Sequence, residues 1–371
     1  MVPADASAEL RGLAARSMAA EDARWGMDVI RSGQSGSASG VLPLLLGHHW
    51  IRIAYEGAIM LRSHDPLVGV PALANLLRGQ YAAITARGRH AAKLLDDTNK
   101  SYDQVLTELE EVLADHHARL TGRAARWLRW AETDLALYTL DGKVAGASVS
   151  AGYRLGVELA DGGRIAGYDI RAVSEEWGAT LAVLGAAALD GSSQPATLGS
   201  IRTFGHGHRD RLATRYLRSR FDLEFGLGLK AMLLLIEGDL NTSLRLLPLT
   251  SSGHEQPVFR AQAITAYHAL TALRQVCQRH AGSRTAGLQG LRAALSGPAA
   301  ERLLSRPGKR VRNRCMHYAI ADPQVRPDPS RPMFGLVETV FPGTSWHDYQ
   351  ADVLATTSRL ADVLGGWRAD K

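Results

Sequence analysis

The sequence predicts an all-α chain with a small β insertion near 135–170, organised as an N-terminal helical domain over 1–195 and a helical bundle over 205–371. Apolar residues recur every three or four positions through most of its length. Glycine, serine and proline gather in a few short links between those stretches. Period-two alternation with hairpin-type turns is confined to one region, Leu135 to Ile170.

Taken in order, Ser7 to Arg31 reads as a first helix, ended by the Gly/Ser-rich Ser32 to Gly40. Val41 to Ser63 reads as a largely buried helix, because Leu42, Leu46, Trp50, Ile53, Gly57 and Met60 share one face. Pro43 is compatible with its first turn. Asp65 and Pro66 break it, and the next helix is expected over Pro71 to Leu95. Ser101 to Asp134 is long and amphipathic, and its Trp127 and Trp130 are expected as core or interface anchors. Asp141-Gly142 and Asp161-Gly162-Gly163 are hairpin turns, and Tyr153, Leu155, Val157 and Leu159 alternate. Arg171 to Leu189 returns to helix, and Asp190 to His208 is a connector that marks the expected domain boundary. Helices then follow over Asp210 to Glu237, Pro257 to His280, Thr285 to Ser305 and Lys309 to Ala321. A proline-rich loop precedes the last, Ser345 to Arg368, and the short links imply antiparallel neighbours in a bundle.

With 46% hydrophobic and 22% charged residues over 371 positions, the composition is that of a globular protein and excludes a disordered or fibrous one. Two cysteines, Cys277 and Cys315, exclude a disulfide framework and a cysteine-rich zinc module and point to a reducing, cytoplasmic setting. The N-terminus lacks the basic and apolar regions of a signal peptide, and the run Trp177 to Leu189 is too short to span a bilayer, so no membrane association is expected. The net charge of +6 is unevenly spread. Between Arg274 and Arg331 there are 12 basic and three acidic residues, so that stretch carries +9 and the remainder −3. Such a concentration suits a polyanionic ligand.

Within it lies Lys309-Arg310-Val311-Arg312-Asn313-Arg314-Cys315-Met316-His317-Tyr318. Arg202…His208 and Arg274…His280 have comparable spacing and carry no information in a chain with 37 arginines and 13 histidines. Only four asparagines are present, and requiring Asn directly after the Arg lowers the chance expectation to about 0.04. On a helix, Val311, Cys315, Tyr318 and Ala319 form one apolar arc, while Asn313 and His317 lie opposite and Arg312 sits at the border.

Arg312-Asn313 followed by His317 resembles the signature of the HEPN superfamily of helical ribonucleases, making the C-terminal bundle HEPN-like. The resemblance covers the motif and its helical setting, not the N-terminal half. It implies a metal-independent endoribonuclease, a toxin or anti-phage defence effector, with no cofactor. It also implies a homodimer in which two motif helices build a composite site, and a neutralising or regulatory partner fits such a role. The residue types suit the chemistry. The ribose 2′-OH is the nucleophile, and His317 can move a proton near neutral pH. Arg312 can face the charge growing on the phosphorane, and Asn313 can orient the imidazole or a phosphate oxygen. The products expected are a 2′,3′-cyclic phosphate and a 5′-hydroxyl. Arg306, Lys309, Arg310 and Arg314 are the residues expected to hold the RNA backbone. The alternatives are a HEPN-like protein that binds nucleic acid or nucleotide without cleaving it, and an all-α protein–protein adaptor. Pairs such as His48-His49, His116-His117 and His206-Gly-His208 lack the ligand spacing of a metal site, so no metal is expected. Arg202 to Arg220, with six arginines and two histidines, is a second basic stretch that reads either as a second RNA-contacting patch or, the favoured expectation, as a solvated helix start.

Overall fold

The structure, a computed structural model, describes residues 4–34, 39–64, 71–96, 99–122, 127, 131–156, 167–186, 198–318, 320, 322 and 325–369. The chain is mainly α with one small sheet, as the apolar periodicity requires. The first half supplies α1 (Ala4–Gly33), α2 (Leu42–His64), α3 (Pro71–Arg78), α4 (Ala82–Ala91), α5 (Tyr102–Leu120), β1 (Leu135–Leu140), β2 (Lys143–Ala147), α6 (Ser148–Leu155) and α7 (Gly167–Ala186). The second supplies α8 (Gly199–Thr203), β3 (Gly207–Arg211), α9 (Ala213–Ser219), α10 (Leu227–Arg245), α11 (Glu255–Arg279), α12 (Ala286–Leu295), α13 (Pro298–Leu304), α14 (Arg306–His317), α15 (Leu336–Val340) and α16 (Trp346–Gly366). Among the described residues no helix is long and apolar enough to cross a membrane.

Several boundaries differ from the sequence reading, each for a local reason. The helix expected over Pro71 to Leu95 is split, with α3 closing where the Gly79 amide donates to the Asn75 carbonyl. Its end is a 3₁₀ turn, Leu94–Asp96. The expected Ser101 to Asp134 helix ends at Leu120, where Thr121 turns extended, and Trp127 is 74% exposed rather than a core anchor. Trp130, Val157, Leu159 and the Asp161-Gly162-Gly163 turn lie outside the described residues. Tyr153 and Leu155 belong to α6 rather than to a strand. Asp210 to Glu237 is not one helix, since Phe221 at φ 58° separates α9 from α10. Gly297 and Pro298 divide Thr285 to Ser305 in the same way, with Pro298 at the first position of α13.

The hairpin is legible in the sequence. Asp141 and Gly142 both take positive φ, 47° and 76°, the geometry that joins two twisted strands through two residues. β1 and β2 pair antiparallel with a register irregularity at Tyr138/Thr139. Of the connector expected over Asp190 to His208, residues 190–197 lie outside the described residues, and the rest contributes α8 and the start of β3, which pairs antiparallel with β1 to give the order β2-β1-β3. α10 packs on β2, where Asn241 Nδ2 donates to the Val144 carbonyl at 2.8 Å and the Thr242 hydroxyl to the Ala145 carbonyl at 2.9 Å. Gly238 permits this approach, because a Cβ there would stand 3.1 Å from the Ala145 oxygen.

One hydrophobic cluster runs from Ala14 to Trp367, taking in residues of both halves. Its polar centre is Asp22 of α1, fully buried. Asp22 accepts from Arg52 Nη2 of α2 at 2.7 Å, Arg260 Nε of α11 at 2.8 Å and the Tyr318 hydroxyl at 2.7 Å. Arg52 also donates to the Cys315 carbonyl at 3.1 Å. Buried charges persist only when paired and hydrogen-bonded, and this pairing fixes α14 against α1, α2 and α11.

Candidate functional site

α14 begins at Ser305, whose hydroxyl accepts from the Gly308 amide at 3.1 Å, with Pro307 in the first turn. It ends at His317, because Tyr318 adopts a left-handed conformation at φ 56°. The expected helix over Lys309 to Ala321 is thus shifted towards the N-terminus. Val311, Cys315 and Tyr318 are buried as the apolar arc requires, and Ala319 lies outside the described residues. Burial pushes the Cys315 thiol up to about 12, so this cysteine is an inert packing residue.

His317 is partly open, with its side chain 32% exposed. Its Nδ1 lies 2.9 Å from Glu56 Oε2 of α2. Glu56 is buried, and its Oε1 accepts from Arg89 Nε of α4 at 2.5 Å. Burial acts to raise the Glu56 carboxyl. The hydrogen bond and charge of His317, together with Arg89, outweigh it and hold the group below the usual carboxylate range. An ionised Glu56 assigns the proton of a neutral His317 ring to Nδ1 and leaves Nε2 as the basic nitrogen.

Arg312 is placed differently from the sequence expectation of a side chain reaching round to the polar face. It is 6% exposed. Its Nη1 donates to Asn313 Oδ1 at 2.8 Å, and its Nη2 contacts both Asp96 and, at 3.0 Å, His268 Nε2 of α11. Its guanidinium lies 5.1 Å from the centre of the Tyr267 ring. Burial, and then the nearby Arg89 charge, push the guanidinium down to about 10, which leaves it cationic at neutral pH. His268 Nδ1 meets the Ala92 carbonyl at 2.9 Å, so the ring donates there and accepts from Arg312. Burial, followed by the charge of Lys93, lowers His268 to about 3 and keeps it neutral.

Four segments therefore converge on the motif face of α14: α2 through Glu56, α4 through Arg89 on Glu56, the 94–96 turn through Asp96, and α11 through Tyr267 and His268. Asn313 is half-buried, spent on Arg312 rather than on the imidazole. Of the basic neighbours, Arg306, Lys309 and Arg310 are exposed. Arg314 is buried and donates to the Leu336 carbonyl at 2.6 Å, which makes it part of the packing between α14 and α15 and not of an outer basic face. Glu56, Arg89, Asp96 and His268 are absent from the sequence reading. Glu56 carried one signal: it is an acid in a helix whose periodicity marks it as buried.

Behind the motif, His48, His49, Arg52, Asp239, His268 and Met316 line a cavity of about 20 Å³, room for about one water. Burial, and next the charge of Arg154 for His48 and Arg52 for His49, hold both imidazoles well below their ordinary value. Among the described residues no three His, Cys, Asp or Glu side chains are grouped to hold a metal ion. No family model, no curated protein and no solved structure matches the chain.

Proposed function

We propose that the chain is a metal-independent endoribonuclease of HEPN type, acting in the cytoplasm as a toxin or anti-phage defence effector. The observation that carries this reading is the Glu56–His317 pair. A partly exposed imidazole is held by one nitrogen on a buried carboxylate, with no partner on its other nitrogen among the described residues, on the helix that also carries Arg312 and Asn313. That is the arrangement a general acid–base needs.

In the reaction, the 2′-oxygen forms a bond to phosphorus as the bond from phosphorus to the 5′-oxygen breaks. The proton of the 2′-OH leaves to a base, and the departing 5′-oxygen takes one from an acid. His317 Nε2 can fill one of these roles at a time. A second chain related by a twofold axis supplies the other, and so a homodimer belongs to the proposal. Glu56 orients the ring, and Arg89 keeps Glu56 ionised. Arg312 supplies a fixed positive charge behind the imidazole, and a phosphate touching it directly displaces Asp96. Arg306, Lys309 and Arg310 supply affinity for the RNA backbone.

The test is cleavage of a generic transcript by wild type, His317→Ala, Arg312→Ala and Glu56→Gln, with and without EDTA. Cleavage that gives 2′,3′-cyclic phosphate ends, survives EDTA and is lost in His317→Ala supports the reading. Glu56→Gln should lower kcat by one to two orders of magnitude and alter the pH profile. The burial of Arg312 and its pairing with Asp96 favour one second reading, a HEPN-like protein that binds RNA or nucleotide without cleaving it. Binding retained with no cleavage in wild type selects that reading, and neither activity leaves the protein–protein adaptor.

A further inference from the structure

β3 is an edge strand in which every residue from Gly207 to Arg211 is exposed. Arg209 and Arg211, two residues apart, share one face of it, about 7 Å from each other along the strand. That spacing suits successive phosphates of an extended nucleic-acid strand. Arg202 of α8 and Arg215 and Arg218 of α9 are exposed as well. None of these five arginines forms an ion pair among the described residues. The acid within the stretch, Asp210, is engaged with His208 at 3.2 Å. In place of a helix start the stretch forms a strand and a helix, whose Arg211 and Arg215 line one cleft.

Beside it opens a cleft of about 560 Å³ lined by Arg211, Arg215 and Tyr216, with Glu132, Asp210 and Ser219 also in its walls. Tyr216 is held in place, since its hydroxyl accepts from Arg220 Nη1 at 2.8 Å and Arg220 is anchored on the buried Glu237 at 2.6 Å. Trp127, 74% exposed, is four residues before Ala131 of the same cleft, within about 14 Å along the chain. Guanidinium groups without an ion pair among the described residues, beside an aromatic ring held by Arg220, are the parts of a site for single-stranded nucleic acid. The cations follow the backbone, and bases stack on the ring.

We propose that the surface formed by Arg209, Arg211, Arg215, Arg218 and Tyr216 is a second binding site for single-stranded RNA. It is carried by elements other than those that hold α14, and it captures long RNA for the site at His317. This rests on the ribonuclease reading. Its consequence is a dependence on substrate length, because a dinucleotide reaches His317 without touching β3.

The experiment uses a fluorescein-labelled 20-nucleotide poly(U) probe, read by anisotropy from 50 to 200 mM salt, alongside cleavage of a dinucleotide and of a long transcript. Wild type is compared with the triple variant R209E/R211E/R215E, the milder R209Q/R211Q/R215Q and Tyr216→Leu. All three arginines are exposed and without an ion pair among the described residues, and circular dichroism checks that the fold is intact. The charge-reversed variant is expected to bind poly(U) at least tenfold more weakly. The glutamine variant should reduce the slope of log affinity against log salt by about 2. Dinucleotide cleavage should be unchanged while kcat/KM on the transcript falls. Poly(U) affinity equal to wild type in both triple variants overturns the second site and leaves the nuclease reading standing. Preference for duplex over single-stranded RNA also overturns it. Absence of both binding and cleavage in wild type refutes the ribonuclease reading itself, and this inference with it.

Discussion

Replacing Asp22 with asparagine removes a single charge from a place where two guanidinium groups have no other route to neutrality except Glu21 at the rim. Arg52 and Arg260 are 2% and 0% exposed, and Asp22 itself is fully buried. Asparagine matches the volume, so no cavity opens, but it presents an N–H₂ group to donors that need an acceptor. Breaking a buried pair on one side costs about 3–5 kcal/mol, because the partner charge stays behind unpaired. For a chain of this length that corresponds to a melting temperature roughly 4–6 °C lower. The assay is urea unfolding followed by circular dichroism, with Asp362→Asn as the control. Asp362 is 73% exposed and 4.0 Å from Lys143, so its loss should change stability by less than about 0.5 kcal/mol. An Asp22→Asn variant within about 1 kcal/mol of wild type would refute the argument that this carboxylate organises the packing of α14.

Acid should destabilise the fold well before ordinary carboxylates titrate. His48, His49 and His268 are buried neutral, with folded values below the unfolded value near 6.5, so the unfolded chain binds more protons once pH falls below it. Stability from this source is complete above 6.5 and declines down to about 3 for His268, on the order of 2 kcal/mol for that imidazole by pH 5, with His48 and His49 acting in the same direction. A urea midpoint that stays flat between pH 7.5 and 5 would contradict it. Asp96→Asn should release Arg312 to bind phosphate and tighten poly(U) binding about fivefold to tenfold, with the gain cancelled by Arg312→Ala. Weaker binding in Asp96→Asn would instead make Asp96 a structural partner only. A thiol reagent should label Cys277, which is half-buried, and leave Cys315 untouched until the chain unfolds; labelling of both at equal rates in the native protein would count against the packing of α14.

Periodicity carried the helices well because burial of one face is a local pattern. Val41 to Ser63 and Pro257 to His280 lie within two residues of α2 and α11. The α14 boundaries were off because its start depends on a serine cap at Ser305 and its stop on a left-handed tyrosine, neither of which has an apolar signature. β3 escaped notice for a similar reason. Gly207 to Arg211 is polar throughout and gains its strand character only by pairing with β1, some seventy residues earlier. At the site, the helical spacing of Arg312, Asn313 and His317 could be read directly. Glu56 and Asp96 are 261 and 216 residues away from the side chains they meet, and one helix's spacing cannot reveal such partners. Asp22, Arg52, Glu56 and Arg260 share the overlooked clue, an ionised residue inside a stretch otherwise fit for the core.

The lateral growth of the sheet is governed by its asymmetry. With α10 packed on β2 and two of that strand's carbonyls occupied by Asn241 and Thr242, the edge open to an added strand among the described residues is that of β3. A second copy arriving there in antiparallel register would set its own arginines against Arg209 and Arg211, and like charges facing each other across a ladder repel. The open margin of the sheet thus discourages polymerisation of the chain with itself while remaining receptive to a polyanion. High ionic strength weakens both effects together.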